Sequence, residues 1–274
     1  MAQDFAYRNY SHTQGKVKNG GGGRPSKDRA RRAHSQNSLV SQEAVASILA
    51  AADPSGVVLE PHPGDGLLTR ALAGRGAQVT AYEPDPLPAA KLSARTRADN
   101  GIRVVRADFT KAKPPREPFA VVGSIPLTAT ARIIDWCLTA SALTSATLVV
   151  PEEYAHTYVG NNGHWDPVTS TNWPWFDWQL HGRLARTAFR PPLPTDTAIL
   201  HIHRRTKPLV HDQDSYTTLV HAGFANPNLP LPTALRPRYP DVDEALHTTG
   251  ITPGTPAAAV HPTDWVRLHE HLNP

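Results

Sequence analysis

Three acidic residues around one glycine turn have the types and spacing of a nucleotide-binding site. Glu60 opens the segment Glu60-Pro61-His62-Pro63-Gly64-Asp65-Gly66, Glu83 follows 23 residues after Glu60, and Asp108 ends a further apolar stretch. Glycines let the backbone approach a ligand closely, and the start of the following helix attracts anionic groups. A carboxylate about 20 residues beyond such a turn binds a ribose diol. Each acid alone is more typical of a turn or cap, but together they predict a site for an adenosine-containing cofactor.

A second candidate site follows the apolar run Phe119–Gly123. Its residues, Ser124-Ile125-Pro126-Leu127, end a predicted strand and have types that suit reaction at an adenine amino group. The amino nitrogen of adenine is a poor nucleophile because its lone pair is delocalised into the ring. Acceptors on the Ser124 side chain and on the following carbonyls would bind its N–H groups and localise that lone pair. A small polar residue with a proline two positions later, after the fourth strand, resembles the motif of amino-methyltransferases. This resemblance favours S-adenosylmethionine (SAM) over a nicotinamide cofactor, which uses the same sheet layout.

The elements that must position these residues alternate between strand and helix. The predicted strands are Val57–Glu60, Gln78–Glu83, Ile102–Asp108, Phe119–Ile125 and Ala146–Val150. Helical patterns lie between them, which predicts an α/β fold with a parallel sheet covered by helices. Two later strands, Trp178–Arg183 and Ala198–Arg205, are predicted to add an antiparallel pair to that sheet.

Composition divides the chain into three predicted segments. Residues 1–34 carry eight Lys and Arg against two Asp and include four consecutive glycines, which predicts a disordered basic arm that favours a polyanion such as RNA. Residues 35–206 are predicted to form the sheet domain, and the proline-rich residues 207–274 a small, mainly helical domain. The single cysteine, Cys137, excludes an intramolecular disulfide and fits a reducing cytoplasm. The sequence contains no stretch of 18 apolar residues, the length from which a membrane-spanning helix would be predicted.

The joint pattern resembles the Erm family of rRNA adenine-N6 methyltransferases, relatives of the dimethyladenosine transferases. The segments that carry the resemblance are Ser35–Leu39, Leu59–Thr69, Tyr82–Asp85, Asp108–Phe109, Val122–Leu127, Thr187–Pro191 and Asp196–Leu200. The resemblance implies a Rossmann-like SAM-dependent methyltransferase sheet with a small helical C-terminal domain. It also implies methylation of an adenine of 23S rRNA, which confers resistance to macrolides, lincosamides and streptogramin B.

The resemblance assigns roles to residues of both motifs. It implies cofactor contacts at Asn37, Leu39, His62, Gly64, Glu83 for the ribose, Asp108 for the adenine, and Ser124. The catalytic residues it implies are Ser124, Pro126 and Leu127. It further implies a cytoplasmic monomer that acts on large-subunit RNA before full ribosome assembly, without metal or membrane. The pairs His201/His203 and His269/His271 are accordingly predicted to be surface histidines and not metal ligands.

Four departures from the family pattern lie around the two predicted pockets. His62 replaces the first glycine of the turn, Ser124 an asparagine, Leu127 a stacking aromatic and Ser38 a phenylalanine. A side chain at position 62 is expected to crowd the methionine end of SAM. Two hypotheses follow. The chain is an active rRNA adenine-N6 methyltransferase, or it is a catalytically weakened or inactive Erm-like protein that still binds RNA.

Overall fold

The computed structural model describes residues 37–160, 163–226 and 229–272, which belong to one compact unit. The predicted basic arm at residues 1–34 lies outside the described residues. Within the described ranges, no helix is long and apolar enough to cross a membrane.

A mixed sheet of seven strands organises the described residues. Its strands are β2 (Val57–Pro61), β3 (Gln78–Tyr82), β4 (Ile102–Val105), β5 (Phe119–Ser124), β6 (Leu143–Pro151), β7 (Phe176–Leu184) and β9 (Thr197–Arg204). They lie in the order β4-β3-β2-β5-β6-β9-β7. The first five strands in this order are parallel to one another, and β9 is antiparallel to both of its neighbours. A short separate pair joins β1 (Ser38–Leu39) to β8 (Phe189–Arg190). The predicted α/β sheet and its antiparallel addition are confirmed.

Helices cover both faces of the sheet because its central strands are apolar on both sides. The helices of this part are α1 (Gln42–Ala52), α2 (Leu67–Ala73), α3 (Pro86–Arg95), α4 (Thr130–Thr139), α5 (Glu152–Tyr158) and α6 (Pro167–Asn172). On one face, Ile48 of α1 packs with Val58 and Val122. On the other face, Ile133 and Cys137 of α4 join the opposite core, so Cys137 is the small core residue that its apolar helix face predicts.

The C-terminal helices surround a core of their own. They are α7 (Gln213–Phe224), α8 (Leu231–Leu235), α9 (Val242–Thr249) and α10 (Pro262–Leu272). Trp265 and Tyr216 are fully buried in this core. Trp173 and Trp175 are partly buried against both this core and the core of the sheet. These two tryptophans therefore pack between the helices and the sheet.

Candidate active site

The glycine turn after β2 requires glycine for conformation and for space. Gly64 and Gly66 have φ angles of 56° and 75°, in the left-handed region that side chains avoid. A Cβ on Gly66 would lie 2.2 Å from Leu92 Cδ1 of α3, and one on Gly64 would lie 3.5 Å from Ser38 Oγ. The turn therefore runs close to the side chains of neighbouring segments and begins α2 beside the carboxyl end of the sheet.

His62 takes the left-handed conformation of the glycine that it replaces. Its φ is 54°, which costs a residue with a side chain about 1 kcal/mol, and its backbone N–H donates to the Tyr82 carbonyl at 2.9 Å. Burial lowers the pKa of its imidazole, although the negative charge of Asp108 acts to raise it. The ring is therefore held neutral at the turn after β2.

A narrow cavity of about 20 Å³ lies between this turn and the end of β5. Its lining residues are Asn37, Ser38, Leu39, Glu60, His62, Pro63, Gly64, Leu67, Leu68 and Ser124. The cavity has room for roughly one water molecule. Five of the predicted site residues thus lie together, whereas Glu83, Asp108, Pro126 and Leu127 lie outside the lining. The small volume agrees with the expected crowding by His62, which stays a prediction until binding is measured.

Glu60, one of the three acids that the sequence singles out, lines this cavity. Its side chain is 1% exposed, and Oε2 has no hydrogen-bond partner among the described residues. Burial raises the pKa of this carboxyl to about 8, although the Thr69 hydroxyl and the charge of Arg70 act to lower it. A buried carboxyl oxygen without a partner is costly, so a cationic group of a ligand is the partner that this site fits. The sequence could not show that this oxygen lacks a partner.

Glu83 and Asp108 lie at the same edge of the sheet, each with a local structural role. Glu83 is 2% exposed, and its Oε1 accepts from the backbone N–H of Asp85 at 3.0 Å. Asp108 Oδ1 accepts from the backbone N–H of Thr110 at 3.0 Å and from its hydroxyl at 2.8 Å. Asp108 lies beyond β4, which ends at Val105, so the prediction that it ends the strand was wrong: it caps a 3₁₀ turn instead.

The charge state of Asp108 suits a hydrogen-bond acceptor. Burial raises the pKa of this carboxyl, but the two bonds from Thr110 and the charges of Arg132 and Lys111 outweigh it and lower the pKa overall. Both hydrogen bonds use Oδ1, so Oδ2 remains available to a donor other than the described residues.

Asn37 and Leu39 hold the N-terminal strand in place. The amide nitrogen of Asn37 donates to the carbonyls of Pro191 and Pro192, at 2.6 and 3.3 Å. Leu39 is paired with Phe189 and packs into the core. These contacts position the wall of the cavity that faces the glycine turn.

The polar turn after β5 touches the altered glycine turn directly. A Cβ on Gly123 would lie 2.9 Å from Pro61 Cδ and 3.1 Å from the Pro61 carbonyl oxygen. Only glycine therefore lets β5 approach β2 closely at this point. Ser124, the next residue, is half-buried and lines the narrow cavity.

The backbone of this turn leaves one carbonyl available. The Pro126 carbonyl accepts from the Ala129 N–H at 2.9 Å, and the Leu127 carbonyl accepts from the Thr130 hydroxyl at 3.2 Å. The Ile125 carbonyl accepts no hydrogen bond from the described residues. The acceptors that the turn offers are therefore Ser124 Oγ and the Ile125 oxygen. The sequence prediction included the carbonyls after Ser124 but named only Pro126 and Leu127 as residues. The 3₁₀ turn that engages the Pro126 carbonyl and leaves that of Ile125 available was not visible in the sequence.

The histidine pairs lie away from this site, and one expectation about them was wrong. His269 is 6% exposed, with its Nε2 2.7 Å from Ser215 Oγ, so it is not a surface residue. His201 is half-buried and its Nδ1 lies 2.9 Å from the Thr147 hydroxyl. Among the residues that the structure describes, no group of three His, Cys, Asp or Glu could hold a metal ion.

A wider groove of about 540 Å³ opens after β6 and contains Glu152 and Asp196. Both of these carboxylates are already paired, since Arg183 contacts Glu152 at 3.0 Å and also bonds to Asp196. The narrow cavity, with its unpaired carboxyl and free acceptors, is the better candidate for chemistry.

A mixed sheet with acids after neighbouring parallel strands, a glycine turn and a turn with free acceptors after β5 is typical of a Rossmann-like transferase with a site suited to an adenosine cofactor. The sequence model of the ribosomal RNA adenine dimethylase family matches residues 27–273. The chain belongs to this family of SAM-dependent methyltransferases.

Individual relatives agree with this assignment. An rRNA adenine N-6-methyltransferase of Aeromicrobium erythreum is 40% identical over 92% of this chain and 76% of its own. The mycinamicin-resistance protein MyrB of Micromonospora griseorubida is 32% identical over 77% of this chain and 68% of its own. The crystal structure of the 23S rRNA methyltransferase ErmE is similar with a TM-score of 0.82 and 39% identity, over 87% of this chain and all of that chain. The family and fold predicted from the sequence are confirmed, and a nicotinamide enzyme is rejected.

Proposed function

We propose that this protein transfers a methyl group from SAM to N6 of an adenine in 23S rRNA and thereby confers resistance to macrolides, lincosamides and streptogramin B. The relatives support the RNA and the resistance, because one is named for 23S rRNA and another for mycinamicin resistance. The observation that carries the proposal is the pair of free acceptors at the end of β5, Ser124 Oγ and the Ile125 carbonyl.

These two acceptors suit the amino group of an adenine. An amino group has two N–H donors, and two adjacent acceptors bind both of them. Such bonds draw the nitrogen lone pair out of conjugation with the ring, which raises its nucleophilicity in the transition state. The proton that the nitrogen loses passes to solvent, since the lowered pKa of Asp108 makes it a weak base and Glu60 would be engaged with the ammonium of SAM.

The residues at the sheet edge fit SAM. Glu60 would pair with the ammonium of its methionine part, Gly64 and Gly66 would let the backbone approach it, Glu83 would bind the ribose, and Asp108 Oδ2 would accept from the adenine. When bound, SAM supplies a methyl group activated by a sulfonium. Asn37 and Leu39 would shape the opposite wall.

Two residues set how well this site works. His62 must move or accept contact for a methionine tail to enter the narrow cavity. Leu127, half-buried beside the free acceptors, gives the target base an aliphatic surface in place of an aromatic one. Base–aromatic stacking contributes about 1–3 kcal/mol per base, so Leu127→Phe should raise the methylation rate. We further propose that the protein acts as a cytoplasmic monomer, without metal, on rRNA that is not yet assembled.

Calorimetric titration with SAM and methylation of a 23S rRNA fragment test the proposal together. We expect SAM binding and the appearance of N6-methyladenine, measured by mass spectrometry. Ser124→Ala should reduce the methylation rate about 10²–10³-fold. Ser124→Asn, which keeps a side-chain acceptor at this position, should keep or raise the wild-type rate. Failure to bind millimolar SAM would reject the enzyme and favour the non-catalytic RNA-binding alternative.

A further inference from the structure

A set of exposed basic residues on β4, on the connection after it and on α4 makes no ion pair within the described ranges. Arg103, Arg106, Lys111, Lys113 and Arg132, named here the basic strip, are all exposed. The arginines that form ion pairs in the described ranges are others: Arg95, Arg183, Arg205, Arg236 and Arg267. The basic strip therefore presents to solvent positive charge that no ion pair engages.

The backbone that carries the basic strip is firmly held. Residues 106–116 connect the edge strand β4 to β5 across the face of the sheet that α4 covers. Phe109 anchors this connection, with its ring 5.6 Å from that of Tyr82 and 4.3 Å from that of Trp136 of α4. The Trp136 indole N–H also donates to the Ala112 carbonyl at 2.9 Å. The backbone positions that carry the charges on this connection and on α4 are thus fixed relative to each other.

The basic strip reaches the active site. Lys111 lies in the 3₁₀ turn that Asp108 caps, and Arg132 lies in the first turn of α4, shortly after the turn that follows β5. In agreement with these positions, the charges of both residues lower the pKa of Asp108. Arg103, whose register partner is Thr80, marks the far end on the outer strand of the sheet.

We propose that the basic strip binds the phosphodiester backbone of the RNA substrate next to the target adenine. The inference rests on the proposed function, because it assigns a path to the RNA that the active site would methylate. Unpaired Lys and Arg on a rigid surface bind phosphates without reading sequence. Their place beside the catalytic turn would hold the strand while the base enters the pocket.

The test compares two triple variants of the full chain with equal loss of charge. The first is Arg106→Gln/Lys111→Gln/Lys113→Gln. The matched control is Arg75→Gln/Lys91→Gln/Arg97→Gln, which removes three exposed basic residues that lie outside the basic strip, around α3 and before β3. Binding of a fluorescent 23S rRNA fragment is measured by anisotropy between 50 and 200 mM salt, and SAM binding by calorimetry.

Each phosphate contact contributes about 0.7 to the slope of log K against log salt for single-stranded nucleic acid, so the first variant should lose about 2 in slope and about 100-fold in affinity at 100 mM salt. SAM binding should be unchanged, and the control should bind RNA nearly as the wild type does. Equal affinities and slopes for the two variants would overturn the basic strip, even where the wild type methylates RNA. A wild type that binds RNA through the basic strip but never methylates it would reject the proposed function alone. A wild type that does not bind RNA would overturn both.

Discussion

Replacement of Glu60 by glutamine should stabilise the protein and weaken SAM binding, two effects of opposite sign from one atom change. The carboxyl titrates near its ordinary 4.5 when unfolded and at about 8 when buried. At pH 7, the folded protein therefore retains on Glu60 a proton that the unfolded chain has released. Because pH 7 lies about 2.5 units above 4.5, this retention lowers the free energy of unfolding by about 3 kcal/mol at most, at about 1.4 kcal/mol per unit.

The sign follows from the raised pKa. Below pH 4.5 both states carry the proton and the penalty vanishes, whereas between 4.5 and 8 wild-type stability falls as pH rises. Glu60→Gln cannot ionise, so its advantage should be small at pH 5 and largest at pH 8. Denaturant unfolding at several pH values measures this difference. Glu43→Gln, an exposed carboxylate on α1, is the matched control and should change little.

The same variant should bind SAM about 10–100-fold more weakly, because a hydrogen bond between charged groups contributes about 1.5–3 kcal/mol. In the wild type at pH 7, pairing with a cation should release a proton from Glu60, seen as a binding enthalpy that depends on the buffer. The variant should lose that dependence. A variant that is less stable than the wild type at pH 8, or that binds SAM equally well, would refute the reasoning.

Three further changes test the geometry around the site. His62→Gly should tighten SAM binding by removing both the ring and the left-handed strain. His62→Ala, which removes the ring but keeps the strain, should tighten it less. Equal Kd values for wild type and both variants by calorimetry would show that the ring does not obstruct the cavity. Gly123→Ala should cost about 1–3 kcal/mol of unfolding free energy and most of the activity, because its Cβ would meet Pro61; wild-type denaturation and turnover would contradict this. Burial lowers the pKa of His201 to about 4, so its contribution to stability is present above pH 6.5 and is lost as pH falls towards 4; His201→Gln should flatten the acid side of the stability curve, and an unchanged curve would exclude this role.

The sheet could be predicted from the sequence because its strands are short apolar runs with clear ends. Phe119–Gly123 is such a run, and it ends where a polar residue and a proline stop it. Asp108 was misplaced because its own side chain caps the next turn through Thr110, a local competition that strand patterns do not show. His269 was misjudged since only the packing of α10 against α7 brings it to Ser215.

The site was harder to predict than the fold, because its decisive features are polar atoms that have no hydrogen-bond partner among the described residues. A sequence shows that Glu60 precedes a glycine turn, but the lack of a donor for Oε2 depends on everything packed around it. The same holds for the Ile125 carbonyl, which is free only because the 3₁₀ turn engages its neighbour at Pro126.

The altered residues of the two motifs form one structural unit. Pro61 lies against the position of a missing Cβ on Gly123, so the backbone of the glycine turn and that of the catalytic turn are in contact. His62 follows Pro61, Ser124 follows Gly123, and both line the same narrow cavity. Residues that share a cavity and a backbone contact do not act additively. The replacement of glycine by His62 therefore changes the space in which the shorter Ser124 must place an adenine, and the effect of either residue on catalysis depends on the other.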